Sequence, residues 1–306
     1  MNYFLLLLAA SCLAAEPSSF DQRKANIRAL LQQSDYVAAL ADARLLNRQW
    51  PDDIETYQMM VTAHLELGNY READEELQWM LDLRIGKADV QGYWLLARFR
   101  EVTGDAEGAI EAMNSAFARL QNGEKADRSR MLAYLAHLHI VSGKLSLANK
   151  ILQDSDATDA ATMFVRSQLL QAQSKPEEAA LLLRRLAAQR DDPRNLYALA
   201  EATGEAADYE AFEKAARQVT GSLDNANREL ALYLAGPGKQ PSAAVRIARD
   251  ESKRRRDVLT LDALAFALAA NGDREAARKI MTEVLATGTQ DPTILAHAIR
   301  LGMKPE

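Results

Sequence analysis

The segment Ile54–Ile85, IETYQMMVTAHLELGNYREADEELQWMLDLRI, holds two amphipathic helical patterns joined by the turn Gly68-Asn69-Tyr70. The same arrangement recurs along the chain. Aligned on the turn and on the residue five positions later, eight turns begin at Ser34, Gly68, Gly104, Gly143, Ser174, Ala207, Lys239 and Gly272, at separations of 34, 36, 39, 31, 33, 32 and 33 residues. The residues five positions on are Ala39, Ala73, Ala109, Ala148, Ala179, Phe212, Ala244 and Ala277. A small side chain there lets the second helix of a unit cross its neighbour at close range. Glycine at the turn supplies a left-handed backbone without steric cost. Pro176 and Pro241 fall in the first turn of a second helix, where the missing N–H is harmless.

The chain has 306 residues, of which 48% are hydrophobic and 26% charged, with only 14 Gly and 8 Pro. That composition supports long helices. Because each repeat buries its apolar face on the next, the length need not correspond to closed globular domains. A net charge of −6 argues against nucleic acid as a partner, since phosphate neutralisation needs a basic surface. The single cysteine, Cys12, excludes a disulfide framework, a thiol nucleophile and a cysteine zinc site in the body of the chain.

The units resemble tetratricopeptide repeats, the 34-residue helix-turn-helix family. Tyr57 stands at the family's first aromatic position, Met60 at its leucine, Tyr70 after the turn, Ala73 at its alanine and Leu77 at its second aromatic position. LNRQWPDD places Pro51 at the terminal proline, and GDAEGAIEAMNSAF and NGDREAARKIMTEVL repeat the second-helix pattern around Ala109 and Ala277. The resemblance covers about 20–301 and implies an all-α fold, a right-handed α-solenoid of about eight helical hairpins with a C-terminal capping helix. The expected organisation is a signal peptide at 1–15, a short linker at 16–19, the repeat array at 20–290 and the capping helix and tail at 291–306. The polar stretch 121–129, QNGEKADRS, reads as a loop between units. In the capping helix, Ile294, Leu295, Ala298, Ile299 and Leu301 form the apolar face, with His297 and Arg300 more polar.

Members of this family bind partners on the concave face, lined by the first helix of each unit. Carried over by position, this implies a groove containing Trp94, Arg98, His137, Phe164, Gln168, Tyr197, Tyr233 and Phe266. Rigid aromatic rings among polar groups suit capture of a peptide or protein. The same aromatics could instead pack between helices, as apolar residues at helical spacing usually do. The family's clamp for a terminal carboxylate would need asparagines where Arg28 and Met59 stand, so that function is not carried over.

Other chemistry finds little support in the sequence. Lys253-Arg254-Arg255-Arg256, flanked by Asp250, Glu251 and Asp257, reads as a solvated helix end. His137 and His139 fall on different helix faces, His64 and His297 are isolated, and no metal-binding His/Glu spacing occurs. Asp74, Glu75 and Glu76 read as solvated helix surface. No phosphate loop, nucleophile elbow or paired-carboxylate pocket is evident, so neither an enzyme nor a cofactor is expected.

The leader MNYFLLLLAASCLAA carries an apolar run, Tyr3 to Ala10, too short to span a bilayer. It fits the apolar core of a secretory signal cleaved after Ala15, although no Lys or Arg precedes it. The expected location is periplasmic or extracellular. A second reading uses Cys12: Leu8-Ala9-Ala10-Ser11-Cys12 resembles a bacterial lipoprotein signal, which would tether the protein to an outer membrane as a structural subunit. Ala9 departs from that pattern, and membrane contact is expected only through a lipid on Cys12.

Overall fold

The computed structural model describes residues 19–82, 89–120, 125–189 and 192–304, apart from the side chains at 82, 125 and 126. The leader with Cys12 and the first four residues of the 121–129 stretch lie outside the described residues. Among the described residues every regular element is a helix. They run in hairpins: α1 (Phe20–Gln32) with α2 (Tyr36–Gln49), α3 (Ile54–Leu67) with α4 (Tyr70–Asp82), α5 (Val90–Val102) with α6 (Ala106–Arg119), and α7 (Lys125–Val141) with α8 (Leu145–Gln153). These are followed by α9 (Ala160–Ala172) with α10 (Pro176–Gln189), α11 (Pro193–Thr203) with α12 (Ala206–Val219), α13 (Asn227–Leu234) with α14 (Pro241–Arg254), and α15 (Val258–Ala270) with α16 (Arg274–Leu285). The terminal helix α17 (Pro292–Arg300) stands alone.

Local sequence sets these boundaries. Nine helices start behind an aspartate N-cap (Asp35, Asp53, Asp89, Asp105, Asp159, Asp192, Asp257, Asp273 and Asp291) whose carboxylate accepts from an N–H of the first turn. Each such cap stabilises its helix by about 1 kcal/mol. Gly68 and Gly204 end α3 and α11 in the left-handed conformation, and Ser34 and Ser174 adopt positive φ at the corresponding turns. Ala39, Ala73, Ala109, Ala148, Ala179, Ala244 and Ala277 are each the fourth residue of their helix and fully buried, as close helix crossing requires.

The sixth unit departs from the expected register. Its turn is at Gly204, three residues before Ala207, because Gly204 at φ +67° caps α11 and α12 starts at Ala206. The fourth position therefore holds Tyr209, and Phe212 lies one turn further in, fully buried against Tyr197 and Tyr233. The 121–129 loop is shorter than expected, since α7 already begins at Lys125.

The open groove expected from the repeats is also revised, because the superhelix closes on itself. The C-terminal ends of α3 and α5 meet the N-terminal ends of α15 and α17. Arg256 N–H donates to Leu67 C=O at 2.9 Å, and Val258 N–H donates to Tyr70 Oη at 3.0 Å. The backbones approach so closely that a Cβ on Gly68 would lie 2.4 Å from Arg256 C, and one on Gly104 would lie 1.9 Å from Gly288 O. The basic run joins this contact through the Arg256 backbone and the largely buried Arg255, while the Lys253 and Arg256 side chains are exposed. Lys253 pairs with Asp250, Arg254 and Arg255 with the buried Glu251, and Arg256 with Glu283. Glu76 likewise turns toward buried His64, at 3.6 Å, and is not free helix surface.

Gly104 and Gly143 both have positive φ, but a Cβ on Gly143 would meet nothing within 4 Å. Gly143→Ala is expected to cost only the left-handed conformation, about 1 kcal/mol. Gly104→Ala adds the overpacking of the closure, for a total of roughly 3 kcal/mol. Denaturant unfolding compares the two variants, and small-angle scattering should show expansion for Gly104→Ala alone.

Candidate functional site

On α5, Trp94, Arg98 and Glu101 recur at intervals of four and three residues, which puts them on one helix face. On α7, Tyr134 and His137 do the same. Stacking of the first helices turns these faces, with Gln168 of α9 and Glu66 of α3, toward the axis of the superhelix. Closure adds Arg228 of α13 and the caps Asp257 and Asp291 from the opposite side. Of these, Glu66, Arg98, Glu101, His137, Gln168, Arg228, Asp257 and Asp291 line a cavity of 370 Å3, and Trp94 and Tyr134 stand behind it.

The charges in this cavity are largely paired with one another. Arg98 donates to Glu66 at 2.6 Å, and Arg228 donates to Asp257 at 3.1 Å and to Thr260 Oγ1 at 2.9 Å. His137 Nε2 lies 2.9 Å from Glu101 Oε1, and His137 Nδ1 lies 3.1 Å from Gln168 Oε1. Tyr134 Oη donates to the other Glu101 oxygen at 2.5 Å, and its ring stacks on Trp94 at 5.3 Å between centroids. Burial works to lower the His137 pKa, but the hydrogen bond and charge of Glu101, helped by Gln168 and Asp291, outweigh it and raise the value above 6.5. For Glu101, burial works upward and is outweighed by the His137 hydrogen bond and charge, so its pKa falls below 4.5. Burial and Glu101 together hold the Tyr134 hydroxyl well above its ordinary range. His139 projects away from this cluster. Burial, then Lys144, lowers its pKa.

Of the eight residues expected in the groove, the structure brings Arg98, His137 and Gln168 together in the cavity, with Trp94 flanking them through Tyr134. Phe164 packs against the core between α9, α10 and α11. Tyr197 lies 4.9 Å from Phe212, and Tyr233 is buried between Tyr209 and Phe212. Phe266 stacks on His297 at 4.3 Å, at a second pocket. Glu101 and Arg228 were within reach of the positional carry-over, since the resemblance points positions 2, 5, 9 and 12 of each first helix into the groove and they are the twelfth residue of α5 and the second of α13. Asp257 and Asp291 carry no such signal, because they precede α15 and α17 and fall outside the groove positions of a first helix. Among the described residues no group of three or more His, Cys, Asp or Glu is placed to hold a metal ion. Among the described residues no helix is long and apolar enough to cross a membrane.

No family profile and no curated protein matches the chain. Solved structures do. A chain of the APC/C hetero-tetramer Cut9-Hcn1 superposes with a TM-score of 0.52 at 15% identity, over 94% of this chain and 50% of that one. Yeast Tom70 gives a TM-score of 0.52 at 13% identity, over 94% of this chain and 65% of that one. A tetratricopeptide repeat protein from Parabacteroides merdae gives 0.44 at 12% identity, over 92% and 98% of the two chains. This chain thus spans half of the first structure and under two thirds of the second. At such identities the likeness establishes the fold, which is that of a tetratricopeptide-repeat solenoid.

The opposite shifts of His137 and Glu101 define a pH window for their pair. A raised histidine pKa contributes stability that is present below 6.5 and lost as pH rises through the folded value. The lowered Glu101 pKa contributes stability that is present above 4.5 and lost as pH falls through its folded value. The gap in unfolding free energy between wild type and His137→Gln should therefore be widest between pH 4.5 and 6.5 and shrink above it. With side chains about a quarter exposed, 27% and 26%, the effect should be on the order of 1 kcal/mol. Urea titrations across pH measure it.

Proposed function

We propose that the protein is a scaffold that binds a protein or peptide partner through the concave side of its superhelix. The observation that carries this reading is the cluster on α5, α7 and α9. Trp94, Arg98, His137 and Gln168 are fixed there by stacking, ion pairing and hydrogen bonding, so they present aromatic and polar contacts at low entropic cost. Closure shortens the usable surface. A partner cannot run the full length of the groove while Gly68 and Gly104 are in contact with the C-terminal units, so it engages the mouth of the cavity. The fold neighbours fit this reading, since the Cut9-Hcn1 structure is itself a hetero-tetramer. The apolar leader at 1–15 supports a location outside the cytoplasm, which cell fractionation of a C-terminally tagged chain tests.

A photo-crosslinking amino acid at Trp94 is expected to capture the partner in native cells. The same group at Trp79, 52% exposed on a second helix, is expected to capture it weakly or not at all. Equal labelling at both positions, or labelling at Trp79 alone, would assign binding to another surface.

A further inference from the structure

A second pocket, of 640 Å3, opens between the C-terminal ends of α13, α15 and α17. Its wall is the Ala235–Gly238 loop, its floor is Phe266, Ala269 and Leu301, and its rim carries Lys239, Arg274 and Arg300. The lining contains no carboxylate. Most cations that line the superhelix closure and the first cavity have a carboxylate partner, but none of these three does among the described residues. Lys239 Nζ donates to Tyr233 Oη at 2.7 Å, Arg274 donates to Arg300 C=O at 3.4 Å, and the Arg300 side chain is exposed. The adjacent Asp273 is occupied in capping α16 through Ala276 N–H. In a chain with a net charge of −6, this is a local excess of positive charge.

His297 provides a second, independent feature. It is buried, its ring lines the pocket, and both Asp262 oxygens lie 2.9 Å from its Nδ1. An Nδ1–H held by that carboxylate fixes the tautomer and leaves Nε2 as the ring nitrogen available to the pocket, an acceptor beside the Phe266 ring.

We propose that this pocket binds an acidic peptide segment of a partner, an Asp- or Glu-bearing stretch next to an apolar residue. The inference rests on the scaffold reading above and names a partner chemistry and a location for it. A peptide supplies all three complements: carboxylates for Lys239, Arg274 and Arg300, an apolar side chain for the Phe266 floor, and a backbone N–H for His297 Nε2. A free inorganic anion supplies only the first. The electrostatic share of the binding is exposed at the rim, so it weakens with salt.

The test uses the full chain and fluorescence anisotropy with a labelled peptide that alternates Glu and Leu, a Gln-for-Glu counterpart, and inorganic phosphate as competitor. The Glu peptide is expected to bind at least about tenfold more tightly than the Gln peptide, and Arg274→Ala/Arg300→Ala should erase that preference. These exposed positions leave the core untouched, so thermal unfolding of the double variant should match wild type. Phe266→Leu, which keeps an apolar floor, should weaken both peptides equally. Equal binding of the Glu and Gln peptides, an unaffected double variant, or displacement of the Glu peptide by phosphate at equimolar concentration would overturn the proposal. Partner capture through residue 94 that persists in the double variant would leave the scaffold reading standing without the acidic-peptide pocket. Loss of capture at residue 94 in the wild type would remove the scaffold reading while the peptide titration still decided the pocket.

Discussion

The architecture depends on a backbone-to-backbone contact between the early and late turns of the superhelix. The C-terminal ends of α3 and α5 carry unpaired carbonyls and the negative end of the helix dipole. The connection into α15 supplies an N–H to one of them, and the N-terminal ends of α15 and α17 face them with the positive end of the dipole. Placing one against the other satisfies Leu67 C=O with Arg256 N–H and aligns opposite partial charges. The fit tolerates no side chain at Gly68, Gly104 or Gly288, where a Cβ would strike backbone atoms of the facing unit. A solenoid that would otherwise present a continuous groove thereby becomes a closed turn around a polar cavity.

The polar cavity follows from that closure. Arg98 and His137 project inward whether or not the turn closes, but closure brings Asp257 and Asp291 across from them and limits access by solvent. Low solvent access strengthens each pair, and it would leave any member costly if its partner were removed. The same geometry separates two kinds of surface. The inner cluster is neutralised by its own carboxylates, whereas the cations at the rim around Phe266 and His297 have no carboxylate partner among the described residues. A partner would therefore meet shape and hydrogen bonding at the first and net charge at the second.

Much of the fold was legible in the sequence because its causes are local. The buried alanines, the aspartate caps and the turn glycines each act within one helix hairpin, and a period near 34 follows from them. The sixth unit was misaligned because Gly204 and Ala207 compete as the turn and only the left-handed backbone decides between them. Helical periodicity sets His297 apart as more polar and puts Ile299 on the apolar face. In the structure His297 is buried with Asp262 and Ile299 is 62% exposed, because a hydrogen bond across two helices overrides hydrophobic periodicity. The closure itself could not be read. Tyr70 and Val258 are 188 residues apart, and their meeting depends on rotation accumulated over several repeats, which no local pattern encodes.

The closed turn is tested most directly by residue-resolved hydrogen exchange at the amides of Arg256, in the α14–α15 connection, and Val258, the first residue of α15, which have no acceptor within their own helix and would exchange freely in an open solenoid. If Leu67 C=O and Tyr70 Oη accept from them, both amides should be protected about as strongly as those in the interior of α15. Exchange at the rate of an unstructured loop, with α3 and α15 each fully protected, would show that the superhelix is open and would contradict the account.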